Sequence, residues 1–117
     1  MPEIRKPLFK NAIATVGDTL TTVYTAPLSP VAKATYLIEC DIACLDNSGV
    51  QVSVVLVKTN AASAYVVKNA PVPTGSSIQV ISGQKIVLEP GDALKVKCET
   101  ADKSVDVVLS LVEDVNS

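Results

Sequence analysis

The sequence predicts an all-β protein: an antiparallel β-sandwich of about eight or nine short strands, with a jelly roll among its candidate strand orders. Three observations carry that expectation. Apolar residues recur at every second position, as in Leu94, Val96 and Cys98 set between Lys95, Lys97 and Glu99; a surface helix would space them three and four apart. The segments end in turn chemistry, most clearly Glu89-Pro90-Gly91-Asp92, where proline presets the first corner and glycine supplies the positive φ of a type II turn. Val and Ile, which favour pleated sheet, supply much of a composition that is 48% hydrophobic and 19% charged.

The elements follow in chain order. Residues 1–17 lack steady periodicity but combine Arg5, Lys6 and Lys10 with Leu8, Phe9 and Ile13, so they read as a first edge strand or as an arm that docks on a neighbouring subunit. Residues 18–117 read as a single β-sandwich domain, since 117 residues leave no room for a second. Asp18 to Ala26 is threonine-rich and β-prone, and it stops at the loop from Pro27 to Pro30. Ala34 to Leu45 alternates best. Ala34, Tyr36, Ile38, Cys40, Ile42 and Cys44 are expected on one face with Thr35, Glu39 and Asp41 on the other, in a strand long enough to bend or change partners midway.

Asp46-Asn47-Ser48-Gly49 then reads as a hairpin turn that returns Val50, Val52, Val54 and Leu56 as the paired strand. Val55 and Val57 make that strand apolar on both sides, which predicts a central strand or one under an interface. After a turn at Asn60-Ala61-Ala62, Tyr65 and Val67 continue the sheet. A loop rich in Pro, Gly and Ser leads to Ile78 and Val80, and Ile86 and Leu88 form the next apolar face. Thr100-Ala101-Asp102-Lys103 reads as one more hairpin. Val105, Val107, Leu109 and Leu111 form the last strand, and Glu113 and Asp114 a short acidic tail.

Composition excludes several function classes. A net charge of −2 and a pI near 5.0 offer no electrostatic footprint for nucleic acid. Four aromatic residues (Phe9, Tyr24, Tyr36, Tyr65) are too few for a base-stacking platform, and they weigh against a sugar site as well. No apolar run approaches a membrane span or a secretory signal, so synthesis in a cytoplasm and no membrane partner are expected.

Candidate chemistry was sought and none is expected. With no histidine, Ser-His and Cys-His nucleophile pairs are excluded, as is a zinc site built on them. Glu39 and Asp41 share a strand face about 7 Å apart but read as a solvated charged surface. Asp46-Asn47-Ser48 lacks calcium-loop spacing, and the five glycines are scattered singly rather than gathered into a phosphate cradle. Lys95, Lys97 and Lys103 form a basic strip of the kind that protects an edge. Cys40 and Cys44 stand about 13 Å apart on one strand and cannot be bridged; Cys98 could reach one of them only from an adjacent strand, and buried free thiols are the expectation. No catalytic, cofactor-binding or metal residue is therefore assigned, and no small-molecule substrate.

The stretches LTTVYTAP (20–27), the Asp-Asn-Ser-Gly turn before VQVSVVLVK (50–58), VPTGSSIQVISGQKIVLEPGDALKVK (72–97) and DVVLSLVED (106–114) carry a resemblance. From Gly17 to Glu113 the chain resembles small β-sandwich structural proteins of tailed bacteriophages, especially those of marine bacteria and cyanobacteria. The basic N-terminal stretch has no match in that pattern. The resemblance implies a non-enzymatic virion component, made in the host bacterial cytoplasm. It would be a capsid decoration (cement) protein that bridges capsid subunits, or alternatively a tail-associated or host-recognition module. The implied partners are the major capsid protein or other virion proteins, together with further copies of the chain as a homo-oligomer. Arg5, Leu8, Phe9, Ile13, Val55 and Val57 are the expected interface residues.

Overall fold

The computed structural model describes the backbone of residues 5–28, 32–81 and 86–116, and the side chains of 8–28, 34–81 and 86–113. Nine strands are present among them: β1 (Arg5–Val16), β2 (Thr21–Thr25), β3 (Ala32–Cys44), β4 (Val50–Val57), β5 (Ser63–Val72), β6 (Ser77–Ile81), β7 (Ile86–Leu88), β8 (Ala93–Cys98) and β9 (Val105–Asn116). They form two antiparallel sheets packed as a sandwich. The front sheet has the order β1-β9-β3-β6, with β7 also on β3; the back sheet has the order β2-β8-β4-β5.

These pairings are nested. β1 pairs with β9, β2 with β8, β3 with β6 and β7, and β4 with β5. The chain is therefore one long hairpin, and rolling it up adds the pairs β9/β3 and β8/β4. That is jelly-roll order. Rolling lets every strand turn its apolar side to one shared core, which holds Leu37, Ile42, Val52, Val54, Leu88, Leu94, Val96, Leu109 and Leu111.

Two expected hairpins are corrected by this topology. β3 and β4 are joined by the turn at Asp46–Gly49 but lie in different sheets, as do β8 and β9 across Thr100–Lys103. Both turns form, the second with Lys103 N–H donating to the Thr100 carbonyl at 3.3 Å and Asp102 at φ 62°. They are corners between sheets, because burying both apolar faces against the core requires the chain to change layers there. The turn after β4 does close a hairpin: Lys58 N–H donates to the Ala62 carbonyl at 2.7 Å, with Ala61 at φ 70°. Glu89-Pro90-Gly91-Asp92 is the expected tight turn, with Gly91 at φ 85° and Asp92 N–H donating to the Glu89 carbonyl at 3.0 Å.

β3 does change partners midway, pairing with β7 through Thr35–Leu37 and with β6 through Cys40–Ala43. Its single expected face is corrected. Leu37 pairs with Leu111 and Glu39 with Ser110, so Ile38 is an extra residue, and the side-chain phase reverses there. Thr35 and Leu37 face the core before the bulge; Cys40, Ile42 and Cys44 face it after, leaving Tyr36 half-buried and Ile38 exposed. β9 runs longer than expected. Val105, Val107, Leu109 and Leu111 are buried as the alternation requires, but Glu113 continues the same inward series and is only 3% exposed, so it is not part of a solvated tail.

Candidate functional site

The outer face of the front sheet is the surface on which chemistry or recognition could take place. Register places residues from all its strands in cross-strand rows. One row runs Phe9–Val112–Tyr36–Val87. Another runs Ile13–Val108–Asp41–Gln79, and a third Thr15–Asp106–Ala43–Ser77. Phe9 is 74% exposed, Ile13 78% and Val87 51%, with Val108 and Ile38 also open to solvent. Isolated exposed apolar residues are ordinary, but alignment on one sheet face makes a patch.

Some of the polar groups on this face are paired with one another. Thr15 Oγ1 donates to Asp106 Oδ1 at 2.6 Å, and Gln79 Nε2 donates to Glu39 Oε1 at 2.9 Å. Two adjoining open depressions, of about 430 and 610 Å3, lie over Ile13, Thr15, Asp106 and Val108 and over Asp41, Ala43, Ser77 and Gln79. Neither gathers converging donors around an enclosed space. Among the described residues no cluster of His, Cys, Asp or Glu is arranged to hold a metal, and no helix is long and apolar enough to cross a membrane.

The expected interface residues are placed as follows. Leu8, Phe9 and Ile13 lie on β1 and are exposed, Leu8 on the inward series and the other two on the outer face. The backbone of Arg5 pairs with Asn116, and its side chain lies outside the described residues. Val55 and Val57 are in the other sheet, on β4 between β8 and β5. Val55 stands between Tyr65 and Lys95 in the ladder and is 8% exposed, so it offers little area, while Val57 is half-buried. The structure therefore separates this set: β1 contributes to the front sheet, β4 to the back.

Three polar groupings escaped the sequence reading. At one end of the interior, the row Leu8–Glu113–Thr35–Leu88 faces Tyr24 of β2. The Tyr24 hydroxyl donates to Glu113 Oε2, and Lys10 Nζ lies 3.1 Å from Glu113 Oε1. Burial raises the Tyr24 pKa well above the ordinary tyrosine value, and its bond to Glu113 raises it further. On the outside of the back sheet, buried Ser53 donates from Oγ to Glu99 Oε2 at 2.6 Å and accepts from Asn69 N–H at 3.1 Å. Ser53, followed by Lys97 at 3.1 Å, holds the Glu99 carboxyl below its usual value.

The third grouping clamps the corner of the sandwich. Asp92, 1% exposed, accepts from Glu89 N–H at 3.0 Å and from Lys58 Nζ. Burial opposes its charge, but Lys58 and backbone donors outweigh that and the carboxyl titrates below its usual value. Lys58 is raised in turn by Asp92 first and Glu89 second. The basic strip is likewise neutralised in part: Lys103 Nζ lies 3.2 Å from Asp46 Oδ1 and holds that carboxyl down. All three cysteines are free and buried; burial, and then the charge of Asp41, push the Cys40 thiol up to about 12. These groups secure the fold, and among the described residues none of them is aimed into a cavity.

No protein-family model and no curated protein matches the sequence. Among solved structures, the chain is similar to a subunit of the Bacillus endospore appendages, which form a family of disulfide-linked pili. The TM-score is 0.57 at 12% identity, over 98% of this chain and 92% of that one. It also aligns with part of a protein of the infectious bursal disease virus Gx strain, with TM-score 0.42 and 9% identity over 96% of this chain and 37% of that one. A chain from infectious bursal virus derived T=1 particles gives 0.41 and 10% over 96% and 41%. At such identities the appendage subunit shares the fold: a jelly-roll sandwich spanning nearly the whole of both chains.

Proposed function

We propose that this chain is a non-enzymatic structural subunit of a virion, a capsid decoration protein of a tailed bacteriophage that stabilises the head by bridging capsid subunits. The observation that carries this reading is the outer face of the front sheet, where Phe9, Ile13, Val108 and Val87 stand exposed in cross-strand rows, with Thr15 paired to Asp106 and Gln79 to Glu39 among them. Such a face gains free energy by being covered, at roughly 25 cal/mol per Å2 of apolar area removed from water. Specific interfaces bury about 1,000 Å2 or more, a size that a five-stranded sheet face can supply. Of the expected interface residues, Phe9 and Ile13 belong to this face, Leu8 would add to the contact only from the inward series of β1, and Val57 only from the opposite sheet.

A second reading, a tail or appendage subunit, is favoured by the fold shared with the Bacillus appendage subunit. Copy number separates the two. Quantifying the chain in purified particles should give on the order of hundreds of copies for a shell protein and a few dozen or fewer for a tail protein. Binding to undecorated capsids tests the face itself. Val87→Lys together with Val108→Lys should leave the fold intact and lower capsid affinity by about tenfold or more. Unchanged affinity would remove this face from the account.

A further inference from the structure

Among the described residues there are four sheet edges, and three of them are interrupted by bulges or register shifts. β2 is five residues long and bulged between Thr22 and Tyr24. β6 carries a register shift against β3 between Cys40 and Asp41. β5 carries two register shifts, Asn69 at φ 54°, and the edge-type residues Lys68 and Pro71. These are the devices by which edge strands avoid further pairing. β1 is different. It runs for twelve residues in unbroken register with β9, from Arg5↔Asn116 to Val16↔Val105.

The direction of its free backbone groups follows from the ladder. Cys44 N–H donates to Ser76 on the β6 side, so Ala43 points toward β9, where it faces Asp106. Alternation then turns Val105 and Val107 toward β1, and with them Val16, Ala14, Ala12, Lys10 and Leu8 toward β9. The outward groups belong to Phe9, Asn11, Ile13 and Thr15, and to Pro7, whose missing N–H costs the β9 ladder nothing but leaves one bond unmade toward any strand added at this edge.

We propose that β1 pairs antiparallel with β1 of a second copy about a two-fold axis at Asn11, joining two front sheets into one continuous sheet. Outward backbone groups must meet outward groups, so only alternate registers are open, and side-chain chemistry chooses among them. Centred on Asn11, Phe9 lies beside Ile13 of the other copy, Asn11 beside Asn11, and Lys10 beside Ala12. A shift centred on residue 10 sets two Lys10 side chains directly opposite. One centred on residue 12 sets Phe9 against Thr15 and Asn11 against Ile13. Aromatic–β-branched cross-strand pairs stabilise a sheet and like charges destabilise it. Residues 6–16 face each other in this register; at about 3.4 Å per residue they span about 37 Å, and a strip of that length, about 12 Å deep, covers roughly 900 Å2 over both copies, close to the lower limit for a specific interface. The pairing is isologous and closes at two. It does not depend on which particle the protein belongs to.

Cysteine substitution in the full chain reads both pairing and register, because the native thiols are buried. Under a mild oxidant Asn11→Cys should crosslink to a dimer, since facing Cα atoms lie about 5.5 Å apart. Phe9→Cys and Ile13→Cys should each stay uncrosslinked alone and join when mixed. Asn11→Pro, which removes an outward N–H and leaves the β9 ladder untouched, should keep the thermal midpoint of the monomer but abolish dimers in sedimentation equilibrium. Failure of Asn11→Cys to crosslink, crosslinking of the mixed pair without it, or an open ladder of multimers from the wild type would each overturn the proposal.

Discussion

Tyr24 and Glu113 meet across the interior from opposite sheets, the phenol of β2 donating to a carboxylate of β9 that is 3% exposed. With Lys10 on the other carboxylate oxygen, they form the polar tie at one end of an otherwise apolar sandwich. A buried acceptor left without its donor costs about 1–3 kcal/mol. Tyr24→Phe should therefore destabilise the protein by about that amount in urea unfolding. Glu113→Leu in the same chain should recover part of it, because no carboxylate is then left in the interior without its phenol donor.

The same tie sets an alkaline limit. The folded-state pKa of Tyr24 lies above that of a free tyrosine, owing to burial and then to Glu113. Its contribution is fully present below the unfolded value of about 10 and declines as pH rises beyond it. Stability measured from pH 9 upward should fall less steeply in Tyr24→Phe than in the wild type.

Asp92 gives the acid limit. Its carboxyl is depressed in the folded state despite burial, through Lys58 and the Glu89 N–H. That contribution is present above the unfolded value of about 3.9 and is lost as pH falls below it. Asp92→Asn should lower the thermal midpoint at pH 7, and the difference from the wild type should shrink toward pH 3.

Gly91 and Gly17 form a paired test of the turn at the β7–β8 corner. Gly91 sits at φ 85°, and an added Cβ would lie 2.4 Å from Thr59 Cγ2 and 3.1 Å from Leu28 Cδ2. Gly91→Ala should cost about 1–2 kcal/mol from the backbone alone. At Gly17 an added Cβ meets nothing within 4 Å, so Gly17→Ala should be neutral or mildly stabilising in the same denaturation assay.

The strands themselves were legible because period-two burial is a local property: Leu94, Val96 and Cys98 are all buried and the lysines between them are not. Which strands pair was not. A four-residue turn looks the same whether it closes a hairpin, as after Lys58, or crosses between sheets, as at Asp46–Gly49 and Thr100–Lys103. That choice is made by burial summed over the whole chain. The phase reversal at Ile38 was hidden because one extra residue leaves no mark in composition. Glu113 carried a usable signal, since it continues the odd-numbered inward series of β9, but its partners Tyr24 and Lys10 lie about ninety and one hundred residues away. The surface suffered the same limit. Phe9 and Ile13 were visible as apolar residues in a basic segment, whereas their alignment with Val108, Val112 and Val87 exists only once register is known.

The proposed role, recognition through the outer face of the front sheet, is tested most directly by titrating fluorescently labelled protein onto undecorated capsids. Wild type should saturate a fixed number of sites per particle. Val87→Lys with Val108→Lys should fold with an unchanged thermal midpoint yet need about tenfold more protein for half occupancy. Equal occupancy by the two proteins at every concentration would contradict the account.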